Sequence, residues 1–187
     1  MIIAVVGSGG KTTLIKKLAQ QYRNVGRTVF VTTSTHMFIE PETLLTDDAD
    51  TIIRTLKETG YVMAGIPEGE KIKPLPPETY DAVCSVADVV LVEADGSKRL
   101  PLKYPNAAEP VIPSNVQKII VVWGPHGLGR PAHTVCHRLE LVTACLDIAE
   151  DTVITEAHVR KLLQNGYLEP LGRRYPEADI IVYPPLA

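Results

Sequence analysis

Apolar residues recur along this chain in two rhythms, and glycines mark the changes between them. Residues 2–6 (IIAVV) form a short unbroken apolar run rich in β-branched side chains, the pattern of a strand buried on both faces. Residues 11–26 (KTTLIKKLAQQYRNVG) set Leu14, Ile15 and Leu18 at helical spacing and stop at Gly26. A second strand is predicted over 27–34 (RTVFVTTS). A helix over 48–60 (DADTIIRTLKETG) opens on acids and closes at Gly60. Residues 61–66 (YVMAGI) predict a short strand, and 76–87 (PPETYDAVCSVA) a helix with proline just inside its start. Further strands are expected over 88–97 (DVVLVEADGS), 117–124 (QKIIVVWG) and 178–183 (ADIIVY), with helices over 137–149 and 154–166.

Strands alternating with helices predict an α/β domain with a mostly parallel sheet. We expect one domain over residues 1–187, with room for a small helical C-terminal part from about residue 138. Residues 100–113 are proline-rich and read as a long irregular connection, a kind of segment that often carries function.

Composition narrows the function classes. A formal charge of −3 and a pI near 6.0 give no basic footprint, and one Trp and two Phe offer little for base stacking, so nucleic acid is not an expected partner. The apolar start breaks into glycine after six residues with no basic flank, which reads as a strand and not as a leader or a membrane span. Cys84, Cys136 and Cys145 are odd in number and form no C-x-x-C pair, so a reduced, cytoplasmic compartment is expected, with no disulfide frame or zinc site.

The chemistry begins at VVGSGGKTT, residues 5–13. A strand, then glycines, then Lys-Thr opening a helix is the context of a phosphate-binding loop. Gly7, Gly9 and Gly10 let the backbone curl so that N–H groups converge on phosphate oxygens, Ser8 lies within the curl, Lys11 adds a mobile cation, and Thr12 and Thr13 add hydroxyls. In the full G-x-x-x-x-G-K-[ST] pattern a glycine would stand at position 5, where this chain has Val5. The shortened form Gly7-Ser8-Gly9-Gly10-Lys11-Thr12-Thr13 resembles the loop of Mur ligases and folylpolyglutamate synthases, which also lack the leading glycine. A second signal is the apolar strand VVLVEAD ending in acids. Glu93 would hold Mg²⁺ with Thr12, and Asp95, two residues on, points to the same side if the strand continues. Both motifs end at strand carboxyl ends, where open α/β sheets bind ligands. The fold expected is therefore P-loop NTPase-like, in three layers, with ATP or GTP and Mg²⁺ as ligands.

The segment VEADGSKRLPLKYPNAAEPVIP, residues 92–113, resembles the YqeC-type family of selenium-dependent hydroxylase accessory proteins. The resemblance rests on Gly7–Thr13, on TTSTH (residues 32–36), on Glu-Ala-Asp-Gly-Ser from Glu93 to Ser97, and on Leu100–Lys103. Glu109-Pro110 and His137-Arg138 also match, so it runs from Met1 to about Arg138. It implies a nucleotide-dependent helper in maturing a molybdenum hydroxylase, selenium-dependent or not, with that enzyme or its cofactor-maturation proteins as partners. An Asn-Lys-x-Asp-like segment is expected after the last strand in this family. This chain has IIVYPPLA there, which leaves the base open.

Other residues carry paired readings. His36, after the hydroxyl run Thr32 to Thr35, reads as a wall of the nucleotide or metal site near the γ-phosphate, or as part of a Ser/Thr-capped strand end. Lys98, Arg99 and Lys103 read as solvated loop charges, or as a site for a second anionic substrate such as a molybdopterin-type cofactor. His137-Arg138 reads as a helix start or as a source of charge toward phosphate. Residues 124–131 (GPHGLGRP) read as too glycine-rich to pack, hence a lid or a plain loop. The function expected is an NTPase or phosphotransfer accessory factor in which Lys11, Glu93, Asp95 and His36 act on the phosphates, metal and attacking group. A non-hydrolytic, nucleotide-gated binding module is the alternative. A Mur-type ligase ranks last, because such ligases resemble multidomain chains.

Overall fold

A computed structural model of the chain describes residues 1–96 and 98–186. They divide into two compact units. One comprises residues 1–5, 12–95 and 111–117, and the other residues 6–11, 96, 98–110 and 118–186.

The first unit is an α/β sheet layer. Its strands are β1 (Ile2–Gly7, whose last two residues belong to the second unit), β2 (Val29–Thr33), β3 (Met37–Phe38), β4 (Thr43–Leu45), β5 (Tyr61–Glu68), β6 (Lys71–Lys73) and β7 (Val89–Glu93). β1 pairs with β7, β7 with β2, β2 with β5 and β5 with β4, all parallel. β6 pairs antiparallel with β5 and with β3. The helices are α1 (Lys11–Asn24), α2 (Ala49–Thr59) and α3 (Pro77–Cys84). The unbroken apolar runs have the cause read from the sequence, since β2 and β7 are buried at every residue. Alternation then sorts side chains to two faces. Ile2, Phe30, Val90 and Val92 join Ile52 and Leu56 of α2 and Val83 of α3 in one core. Ile3, Val5, Val31 and Leu91, pointing the other way, are also wholly buried.

Local chemistry sets the helix ends. The Asp48 carboxylate accepts from Thr51 N–H at 2.8 Å, and Gly60 closes α2 in the left-handed conformation with its N–H on the Leu56 carbonyl.

The second unit contains β8 (Leu102–Lys103), β9 (Lys118–Val122), β10 (Cys136–His137) and β11 (Asp179–Tyr183), with β9 parallel to β11 and β8 parallel to β10. Its helices are α4 (Ala132–Val135), α5 (Leu139–Leu146), α6 (Glu156–Leu163) and α7 (Glu169–Arg174). The helix expected to stop at Gly166 instead continues through a π-helical turn, Gln164–Leu168, into α7, because Gly166 packs tightly on Tyr104 and Pro105. In the glycine-rich segment 124–131, Gly124 and Gly127 are likewise packed. A Cβ on Gly124 would come 2.6 Å from Pro101 Cβ, and Gly127 is buried against Leu102. At those two positions glycine is needed for close approach.

Cys84, Cys136 and Cys145 are all thiols, and burial pushes Cys84 and Cys136 up to about 11, so both stay protonated at neutral pH. Among the described residues no helix is long and apolar enough to cross a membrane.

Candidate functional site

In the first unit the parallel register brings three strand ends side by side. Glu93 lies between Val5 of β1 and Thr33 of β2. It projects to the face opposite Val92, and the hydroxyl of Thr12, in the first turn of α1, donates to its Oε2 at 2.9 Å. The Glu93 carbonyl accepts from Thr33 Oγ1 at 2.8 Å and from Ser34 N–H at 3.1 Å, which fixes the strand end. Ala94 N–H donates to Val5 O and Ala94 O accepts from Val111 N–H, both at 3.0 Å, so the chain is pinned through the residue between the two acids. Glu93 is 7% exposed and Asp95 wholly buried. Two carboxylates are thus removed from water at one strand end.

The donor set fits Mg²⁺. It consists of hard oxygens, and two neighbouring ligands of an octahedral Mg²⁺ at 2.0–2.1 Å would lie about 2.9 Å apart, the Thr12–Glu93 separation observed. Among the described residues no three His, Cys, Asp or Glu side chains gather to form a metal cage. Mg²⁺ needs none, since it binds through one or two carboxylates together with water and phosphate.

The loop that precedes Thr12 in the chain belongs to the second unit. Gly7, Gly9 and Gly10 have φ of +90°, +79° and +131°. A Cβ on Gly7 would lie 2.1 Å from Val122 O. Ser8 builds the floor, since its N–H donates to Val122 O at 2.8 Å and its hydroxyl to Pro101 O at 2.9 Å. The Lys11 ammonium folds back to donate to Gly7 O at 2.8 Å and is almost wholly buried. Gly7→Ala should therefore lower stability by roughly 3 kcal/mol through strain and clash. Gly60→Ala, with φ +72° and open space around it, should cost only about 1 kcal/mol. Urea denaturation of the two variants checks the contrast.

Electrostatics set α1 apart from the other two helices of the first unit and from α5 and α6. Helices α2, α3, α5 and α6 each carry an acid in the first turn, Asp50, Glu78, Glu140 and Glu156. α1 carries none and opens on Lys11. A cation at the positive end of a helix dipole is unfavourable alone and favourable beside a bound anion.

The remaining sequence candidates are more exposed. Thr13 is exposed on α1. His36 is half exposed, with Nε2 2.8 Å from Glu68 Oε2. Lys98 and Arg99 are exposed in left-handed backbone. Ser97, the last residue of the Glu-Ala-Asp-Gly-Ser match, lies outside the described residues.

Lys103 is no solvated charge. Its ammonium, wholly buried, lies 2.6 Å from Glu109 Oε2 and donates to Gly96 O at 2.6 Å. Arg138 grips the same carboxylate with both guanidinium nitrogens. Burial pushes Glu109 up, but bonds from Arg138 and then Lys103 outweigh it and hold the carboxyl at about 2. His137, beside Lys103 in the β8–β10 pair, is held below its usual value by burial and then by Arg138. Reading by sequence missed this network. The one available signal was that Glu109 is the single acid in residues 100–113.

The family model described as YqeC protein matches residues 3–140. A curated relative, the uncharacterized protein YqeC of Escherichia coli (strain K12), is 35% identical over 150 residues, covering 71% of this chain and 55% of the relative. The chain thus spans about half the length of the curated relative it matches. No solved structure matches.

Proposed function

The chain belongs to the YqeC family, and on that premise we propose that it is a P-loop protein that binds ATP or GTP with Mg²⁺ on Gly7–Thr13, Glu93 and Asp95. The observation that carries this reading is the hydrogen bond from Thr12 to Glu93 at 2.9 Å, one residue beyond the loop lysine. Loop N–H groups donate to phosphate oxygens, and the Lys11 ammonium swings from Gly7 O to the β/γ-phosphates. Thr12 and Glu93 hold the metal, which supplies neutralisation of phosphate charge. Asp95 supports the metal or orients the attacking oxygen. Transfer of the γ-phosphoryl group then consists of positioning and charge stabilisation. The family resemblance extends the proposal to a role as helper in maturing a molybdenum hydroxylase, with nucleotide state governing the docking of that partner.

Calorimetric titration of ATP, GTP and CTP, each with and without Mg²⁺, tests the site. One nucleotide should bind in the micromolar range with Mg²⁺. Glu93→Gln should lose roughly tenfold in affinity with Mg²⁺ and nothing without it. Absence of binding by all three nucleotides would overturn the reading. Binding without phosphate release would mark a nucleotide-gated module rather than an NTPase.

A further inference from the structure

The first unit contains a cavity of about 270 Å³ that the phosphate-loop chemistry does not use. It opens at the carboxyl ends of β2 and β7, the edge where parallel sheets bind ligands. Val92 lines it, so it lies on the sheet face opposite the Glu93 carboxylate. Its walls are apolar: the Tyr80 ring and the prolines Pro74, Pro77 and Pro113. Proline rings cannot swing in to fill the space, so that part of the wall is preformed. The volume suits one fused bicyclic ring system, at the small end of ligand pockets.

Chemistry along the lining narrows the occupant. No charged side chain lines the cavity, so the bound part of the ligand is neutral. Aromatic and proline faces select a flat ring. At the strand end the polar groups have their protons directed elsewhere. Thr33 Oγ1 donates to Glu93 O, and Ser34 Oγ donates to Val111 O. A hydroxyl oxygen that has given its proton still accepts, so Ser34 offers the cavity an acceptor and asks the ligand for a donor.

We infer that this cavity is a second small-molecule site, for a neutral, flat, bicyclic heteroaromatic compound that presents a ring N–H or amino group to Ser34. The occupant is separate from the nucleotide. Ser34 N–H and Thr33 Oγ1 both hold the Glu93 carbonyl, so the cavity adjoins the strand end that carries Glu93.

The test is titration of ¹⁵N-labelled protein at pH 7.5 with benzimidazole and with 1-methylbenzimidazole, which lacks the N–H. Benzimidazole should give saturable amide shifts centred on Ser34, Val92, Val111 and Ile112, with the methylated analogue roughly tenfold weaker. Ser34→Ala should erase that preference while leaving the fold intact. Val111→Trp, at a position already 45% exposed on the rim, should abolish binding of both. The inference is overturned by a lack of saturable shifts in the wild type, or by shifts centred elsewhere. A preference that survives Ser34→Ala would overturn it as well. None of these readouts requires the phosphate loop to bind a nucleotide, so the two readings fail separately.

Discussion

Lys11→Ala is expected to lower nucleotide affinity by roughly two orders of magnitude and to remove any phosphate release, whereas alanine at the exposed Lys17 changes affinity less than twofold. A buried ammonium about 4 Å from a phosphate charge contributes on the order of 4 kcal/mol at the effective dielectric near a protein surface, and loss of its hydrogen bond to Gly7 offsets part of this. About 2.7 kcal/mol remains, the hundredfold expected. Calorimetry with both variants measures the ratio, and a melting curve separates it from unfolding. If Lys11→Ala bound nucleotide like the wild type, the loop would be only a turn.

Glu109→Gln should have the largest effect on stability. It leaves the wholly buried Lys103 and the mostly buried Arg138 facing a neutral amide, a loss of about 3–5 kcal/mol. For a chain of this size the melting temperature should fall by roughly 6–20 °C at pH 7. The pH dependence has a definite sign. The Glu109 carboxyl is held at about 2 in the fold against 4.5 ordinarily. Its contribution is therefore complete above about pH 4.5 and is lost as pH falls toward 2. The gap in melting temperature between wild type and Glu109→Gln should narrow steadily across that window. A gap that stays constant from pH 6 to pH 3 would show that the carboxylate charge is not what holds Lys103 and Arg138.

The parts of the site legible in the sequence are those encoded over short spans. Residues 2–13 announce a strand, a glycine turn and a helix by hydrophobic rhythm alone, and Glu93 is legible because an apolar strand seldom ends in buried acids without cause. The alternation that sends Glu93 and Val92 to opposite faces follows from the same rhythm. What escaped is non-local. Met37–Phe38 and Leu102–Lys103 are two-residue strands, too short to show a period, and they exist because a partner strand is present. Lys103 reads as a solvent charge until Glu109 and Arg138 are brought to it. Gly124 reads as a loop residue until Pro101 is found against it. Glu109 apart, the deciding neighbours lie well outside the window in which local propensity acts.

The carbonyl of Pro101 accepts from Ser8 Oγ and from Gly124 N–H, each at 2.9 Å, while Val122 O holds Ser8 N–H. This has a consequence for biosynthesis. The groups that shape the heptapeptide Gly7–Thr13 leave the ribosome about ninety and about a hundred and fifteen residues after it. A nascent chain ending before Pro101 carries the motif in letters without its form. The loop thus matures late, and it does so together with the segment that carries Glu109.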